Sequence, residues 1–238
     1  MAKDLWTKLK TNPVGLAKNA VVKLVVNPIK YRKGEGYDAE RYWRDRFERH
    51  GANLTGPGDE GLSEDDNRRM YEEAGQKLLA ILADEGVDPA GARVLEIGCG
   101  NGFFTGLMHD AGVRDLTGVD ITDVQFERFR ARWPEFRFHK ADITQVAPEG
   151  RYDLVLMIDV IQHIVTEDAL ADAFKHVKSV MAPGAAFVLY PMTDRSRRHM
   201  LHVHWWDTDD VRKHFDGHAV GDAIPFRYSN LVVIRKAG

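Results

Sequence analysis

Cysteine is almost absent from this chain: Cys99 is the only one in 238 residues. No disulfide framework can form within one chain, so a reducing, cytoplasmic setting is expected. Long apolar runs are missing too. Those present are far too short to cross a bilayer, and the opening MAKDLWTKLKT lacks the apolar stretch of a signal peptide. There is no excess of positive charge. With 33 Lys and Arg against 36 Asp and Glu, the net charge of -3 gives no ground for nucleic acid as a partner. Internal repeats and low-complexity segments are also lacking. What remains is an ordinary globular balance, 44% hydrophobic and 29% charged, in a length that suits one domain with extensions.

The first 36 residues differ from the rest. Met1 to Lys33 hold eight Lys or Arg and one acid, Asp4, around the apolar segment VGLAKNAVVKLVV, residues 14–26. A basic amphipathic helix could rest on a membrane surface. The segment has neither dense basic clusters nor aromatic anchors, so residues 1–36 are read as an arm for packing or homodimer formation, and a membrane is not expected as a partner.

Residues 37–90 read as a helical cap. Asp38 precedes AERYWRDRFERH, a helix with Tyr42, Trp43 and Phe47 on one side. The glycine-rich GANLTGPGDEG follows, with the composition of a hinge. In SEDD, Ser63 can cap amides while Asp66 reaches back, and the helix then runs through YEEAGQKLLAILADEG. Tyr42 and Trp43 are candidates to close over a bound substrate.

From residue 91 strands and helices alternate. ARVLEIG, LTGVDIT, FRFHKADIT, YDLVLMIDVI, AAFVLYPM and LVVIRKAG read as strands, with helical stretches between them. Alternation of this kind implies an α/β fold with a mostly parallel sheet, helices on both faces, and ligands outside the carboxyl ends of the strands. Those ends carry Glu96-Ile97-Gly98-Cys99-Gly100-Asn101-Gly102, then Asp120, Asp142, and Met157-Ile158-Asp159 with Gln162-His163. Three glycines in five positions suit a backbone that turns sharply against a ligand. An acid after the second strand can accept hydrogen bonds from ribose hydroxyls. The spacing departs from the dinucleotide fingerprint, and Glu96 would repel a pyrophosphate but favour a cation. Asp120 could instead be a helix cap, Asp142 a turn residue, and Cys99 a small filler rather than a nucleophile.

VLEIGCGNGFFT, LTGVDIT, FHKADIT and YDLVLMIDVIQHI, in that order, resemble the class I S-adenosylmethionine-dependent methyltransferase family over roughly residues 92–190. The resemblance implies a Rossmann-like, seven-stranded sheet whose last strand pair is antiparallel. It also implies S-adenosyl-L-methionine as cofactor. Glu96, Gly98, Cys99, Gly100 and Asn101 then match the turn that holds the methionine part. Asp120 and Ile121 match the ribose position, Asp142 and Ile143 the adenine position, and Met157 the position that meets the methionine moiety.

Methyl transfer from a sulfonium needs an aligned acceptor and a way to lose its proton. A short helix after the fourth strand would place Asp159, Gln162 and His163 on one side. The segment is similar to the E-x-x-E-H element of the O-methyltransferases of ubiquinone biosynthesis, where three side chains hold a divalent cation. That implies a Mg²⁺ site on Asp159, Gln162 and His163, with affinity lowered because Gln replaces one Glu. Alternatively His163 acts as the base, with Asp159 beside it, or His163 merely packs. Further on, TDRSRRHMLHVHWWDTDD gathers His202, His204, Trp205 and Trp206. Trp205 stacked on a sugar ring, with His202 and His204 nearby, would suit a sugar-like acceptor. Equally, the tryptophans pack the helix that Thr208 caps.

The expectation is therefore a methyltransferase core over 91–238, acting on a hydroxyl of a small molecule such as a sugar or polyol. N- or C-methylation of a metabolite is the alternative. A non-catalytic cofactor-binding or scaffold protein is the reading of another class.

Overall fold

The computed structural model describes residues 22–34, 36–51, 53–56, 58 and 62–237. Residues 1–21, which hold most of the expected basic arm, lie outside the described residues. The described chain opens with a π-helical turn, Val22–Val26, and α1 (Asn27–Tyr31), with Pro28 in the first turn where a missing N–H is tolerated. A two-strand hairpin, β1 (Arg32–Lys33) and β2 (Gly36–Tyr37), leads to α2 (Ala39–His50). Asp38 starts α2 by accepting from the Arg41 N–H at 3.1 Å. In α3 (Glu64–Asp84), Ser63 Oγ accepts from the Asp66 N–H at 3.1 Å and its hydroxyl donates to Asp66 Oδ2 at 2.7 Å. Three acids in the first turn of α3 face the positive end of its dipole.

Alternation then begins: β3 (Arg93–Ile97), α4 (Phe103–Asp110), β4 (Asp115–Asp120), α5 (Phe126–Arg132), β5 (Arg137–Lys140), β6 (Tyr152–Ile158), α6 (Glu167–Val180) and β7 (Met181–Met192). The C-terminal part holds the hairpin β8 (Arg197–Met200) and β9 (Val203–Trp205), then α7 (Thr208–Arg212), β10 (His218–Val220), β11 (Ile224–Phe226) and β12 (Ser229–Lys236). Among the described residues the main sheet has eight strands in the order β10-β12-β7-β6-β3-β4-β5, with β11 added alongside β12. The five strands β5, β4, β3, β6 and β7 run parallel, and β12 lies antiparallel beside β7. This is the Rossmann-like, mostly parallel arrangement expected, with one strand more than seven. Strands β10 and β11, the two beyond the six segments read from the sequence, have three residues each. That is too short for a period-two pattern to register in the sequence.

Strand alternation divides the interior into two cores, one per sheet face. Val94, Leu154, Leu156 and Ile158 face the core built with α3, α4 and α5. Leu95, Val155 and Met157 face the core built with α6 and α7. The chain leaves β3 toward β4 and β5, then returns to place β6 on the other side of β3. The crevice between β3 and β6 is thus the switch point, where such sheets bind ligands. Register aligns the strand ends there: Ile97 lies opposite Val119 and Met157, and Asp120 opposite Lys140.

Candidate active site

A cavity of about 470 Å³ opens over those aligned ends. This lies within the range of small-molecule sites. Its floor is Glu96 to Asn101, Asp120, Ile121, Asp142, Ile143, Ile158, Asp159, Val160 and His163. Tyr37, Trp43, Phe47, Tyr71 and Phe103 form much of its roof.

The glycine turn is shaped by close packing. The Gly98 and Cys99 N–H groups both donate to the Val119 carbonyl, at 2.7 and 3.2 Å. Gly98 has φ 75°, and a Cβ there would lie 2.2 Å from Val160 Cγ2. Only glycine serves where the backbone is left-handed and a neighbour already fills the side-chain space. Asn101 Oδ1 accepts from the N–H of Phe103, the first residue of α4, at 3.2 Å.

Asp120 binds the turn as well as facing the cavity. Its Oδ2 accepts from the Gly100 N–H at 2.9 Å, and its Oδ1 from the Thr122 N–H at 3.0 Å. Oδ1 also accepts from the Thr122 hydroxyl at 3.3 Å, so of a carboxylate's about four lone-pair sites one, on Oδ2, stays open for a ligand hydroxyl. Burial pushes its pKa upward, opposed by those backbone donors. Glu96 is buried beneath the turn and accepts from the Thr105 hydroxyl at 2.5 Å. Burial, with repulsion from Asp120, raises its pKa to about 8, so the carboxyl keeps its proton near neutrality unless a cation lies against it. Asp142 does make the turn suggested as its alternative role, accepting from the Thr144 N–H and hydroxyl at 2.9 and 2.7 Å, and it also lines the cavity. Cys99 is buried in the wall, and burial raises its thiol well above its usual value, which leaves no reactive thiolate.

After β6 the backbone does not form the helix expected from Asp159. Asp159 is left-handed, φ 60°, and only a 3₁₀ turn, Ile161–His163, follows. The three intended metal ligands therefore diverge. The Asp159 carboxylate is ion-paired with Arg227 and accepts from the Tyr228 hydroxyl at 3.3 Å. Gln162 is buried with Oε1 unpartnered among the described residues, and it is not part of the cavity wall. His163 Nδ1 lies 2.8 Å from the His202 carbonyl, so that nitrogen must donate and Nε2 is the acceptor. No group of three His, Cys, Asp or Glu among the described residues could hold a metal ion. The donor set does not fit Mg²⁺, and this corrects the expectation. His163 differs from the expected base as well. Burial lowers its pKa to about 3, so it stays neutral and is a weak proton acceptor.

Three further placements differ from expectation. The Met157 side chain turns to the opposite core, fully buried, because a strand alternates faces; Ile158 lines the cavity instead. His204 stacks on Trp206 with centroids 3.8 Å apart, and neither it nor Trp205 lines the cavity. Trp206 donates to the Ile164 carbonyl at 2.9 Å, so it is a packing residue. The hairpin β8–β9 moves these side chains off the cavity, which no sequence period could indicate. Tyr42 and His202 are buried behind the wall and stack on each other at 4.6 Å, while Trp43 reaches the cavity and meets the His163 ring edge-on at 4.8 Å. Sequence reading missed Lys33, Tyr37, Tyr71 and Arg227. Lys33 falls in the segment read as an arm, Tyr37 and Tyr71 fall in the cap without a site role of their own, and Arg227 lies 68 positions from its partner.

Asp120 and Asp142 against Lys33, the one lysine among the described lining residues, give the cavity a negative balance that suits a cationic ligand, with Glu96 able to ionise against a bound cation and Asp159 already paired with Arg227. The methyltransferase domain family matches residues 67–224. The eEF1A lysine and N-terminal methyltransferase of Homo sapiens is 31% identical over 81 residues, 32% of this chain and 12% of that protein. The ubiquinone biosynthesis O-methyltransferase of Bordetella avium (strain 197N) is 26% identical over 117 residues, 47% of this chain and 46% of that protein. The chain thus spans less than half the length of these curated relatives. Among solved structures, the N-methyltransferase NodS from Bradyrhizobium japonicum WM9 with bound S-adenosyl-l-homocysteine superposes with TM-score 0.60 at 18% identity. The match covers 81% of this chain and 99% of that one, a likeness of fold.

Proposed function

The chain belongs to the methyltransferase domain family, and from that premise we propose that it transfers a methyl group from S-adenosylmethionine to a small-molecule acceptor. The observation behind this reading is the row of strand ends around one cavity: the glycine turn, Asp120 and Asp142 side by side at the switch point. Asp120 takes a ribose hydroxyl with the lone pair left on Oδ2, Ile121 flanks it, and Asp142 and Ile143 flank the adenine. Gly98, Cys99, Gly100 and Asn101 hold the methionine part, and Glu96 ionises when that cation is bound. The sulfonium supplies an activated methyl group, so the chain's own residues need only align the acceptor, exclude water and receive a proton. Trp43, Phe47 and Tyr71 exclude water from the β6 end.

The acceptor atom we favour is nitrogen. A neutral amine attacks with its lone pair and sheds its proton afterwards, so it needs no strong base. His163, held neutral, offers Nε2 as a hydrogen-bond acceptor and little basicity. Methylation of a sugar or polyol hydroxyl is the second reading. It is favoured by Trp43 in the cavity wall, whose face can stack on a ring. Residues 37–90 act as the cap, 91–238 as the catalytic core, and a homodimer through the arm remains part of this proposal.

Calorimetry with S-adenosylhomocysteine tests the donor site: Asp120→Ala should weaken binding by about 10- to 100-fold, the worth of a charged hydrogen bond. Unchanged affinity removes Asp120 from the site, and tighter binding of NAD by the native chain rejects the reading. Labelled methyl transfer to matched amines and alcohols, with and without EDTA, separates the two acceptor classes.

A further inference from the structure

Among the described residues, two that are not glycine adopt positive φ: Asp159 at 60° and Arg227 at 49°. They are each other's ion-pair partners. Left-handed backbone is costly for a residue with a side chain, and such positions cluster where a side chain must be aimed. Asp159 directly follows the central strand β6, and Arg227 sits in the tight turn between β11 and β12. Arg227 is 4% exposed, and its guanidinium lies between the rings of Tyr71, Tyr190 and Tyr228, at 4.9, 5.5 and 5.0 Å. Three ring faces fix a planar cation more firmly than solvent would.

The pair is also oriented. Asp159 is in the cavity wall and Arg227 stands behind it, outside that wall. Its negative end faces the cavity and its positive end is buried. One Asp159 oxygen takes Arg227 Nη1 and the other the Tyr228 hydroxyl, which leaves lone pairs free on the cavity side. In the sheet order, Asp120 ends β4 and Asp142 follows β5 on one side of the glycine turn, and Asp159 follows β6 on the other. Asp159 therefore stands at the end of the cavity away from the ribose and adenine positions.

We propose that Arg227 is a positioning residue that aims Asp159 at the methyl-transfer end of the cavity, forming a subsite for a group bearing N–H donors, such as an amine. This rests on the proposed methyl-donor reading. The pair supplies direction: a donor or a cation is favoured at the Asp159 face, and an anionic acceptor group is disfavoured there.

Two probes test this without a known acceptor. S-Adenosylhomocysteine lacks the transferable methyl. Sinefungin carries an amine-bearing carbon in place of the methylated sulfur, so its amine projects toward the acceptor. Calorimetry on the full chain should show sinefungin binding more tightly than S-adenosylhomocysteine. Asp159→Asn should reduce that preference by about 10-fold or more, the range of a charge-assisted hydrogen bond, with S-adenosylhomocysteine affinity within about 2-fold of native. Arg227→Met should do the same, and Arg227→Lys should recover part of the preference. If Arg227→Met fails to fold, Arg227→Lys carries the test, with an intermediate ratio expected. An unchanged ratio in Asp159→Asn, or in whichever Arg227 variant folds, overturns the inference while leaving the donor site intact. Failure of the native chain to bind either probe sinks the donor reading, and this inference with it.

Discussion

Gly98 shows how one residue can be required twice. Its φ of 75° is a conformation that L side chains rarely adopt, and Val160 Cγ2 already occupies the place of a Cβ. Gly98→Ala should destabilise the fold by roughly 2–4 kcal/mol, the sum of left-handed strain and overpacking. Adding Val160→Ala should recover the packing part and leave about 1 kcal/mol, read from paired urea melts. Full recovery would mean that the backbone strain counts for nothing.

His163 gives a pH signature. Its folded pKa is about 3 against an ordinary 6.5. Between those values the unfolded chain binds a proton that the folded chain refuses, so stability falls as pH drops through the window. Between pH 6.5 and 5 the loss is about 1.6 kcal/mol, because the unfolded histidine is already half protonated at 6.5. Comparing native and His163→Asn chains by urea midpoint at both pH values should show the native chain losing that much relative to the variant. Equal pH dependence in the two chains would contradict the burial argument. Glu96 acts in the opposite sense: raised from 4.5 to about 8, it holds a proton in the folded chain and its contribution is lost as pH rises through that range. The difference measurement cancels it.

Among the elements, α2 decides access to the cavity. It sends Trp43 and Phe47 into the roof, and Glu40 near its start meets Lys140 at the end of β5 at 2.5 Å. Past its end, the Gly51 carbonyl accepts from Gln125 at 2.9 Å. The helix is thus tied at both ends across the cavity by contacts that are individually weak, since the Glu40–Lys140 pair is half-exposed. Hydrogen exchange should slow over residues 39–50 when S-adenosylhomocysteine is added. Unchanged exchange there would make α2 a fixed wall rather than a cap.

Over the whole molecule, the boundary drawn at residue 36 falls inside a packed unit. Tyr31 is buried against Tyr42, and its hydroxyl donates to Asp45 at 2.8 Å. Lys33 and Gly36 line the cavity. A chain beginning at residue 38 should therefore bind S-adenosylhomocysteine several-fold more weakly and unfold at lower denaturant, apart from any change in oligomeric state. Sedimentation of both forms separates the two effects. Native-like affinity in the short form would restore the arm as a separate unit. No helix among the described residues is long and apolar enough to cross a membrane.

The sequence by itself determined the strand–helix alternation, the helix starts at Asp38 and Ser63, and the residues set at the strand ends. Each of these depends on local spacing: period-two and period-3.6 apolar patterns, a cap within three residues, glycines beside an acid. The same local logic overreached at Asp159, where spacing suggested one helical face and a left-handed residue broke it. Which face Met157 chose depended on the pairing of β6 with its neighbours. The departure of Trp205 from the cavity depended on a hairpin. The aim of Asp159 depended on Arg227, 68 positions away, brought there by the antiparallel return of β12 along β7. Those features belong to the tertiary structure, because each is fixed by a contact between segments whose separation in sequence leaves no periodic trace.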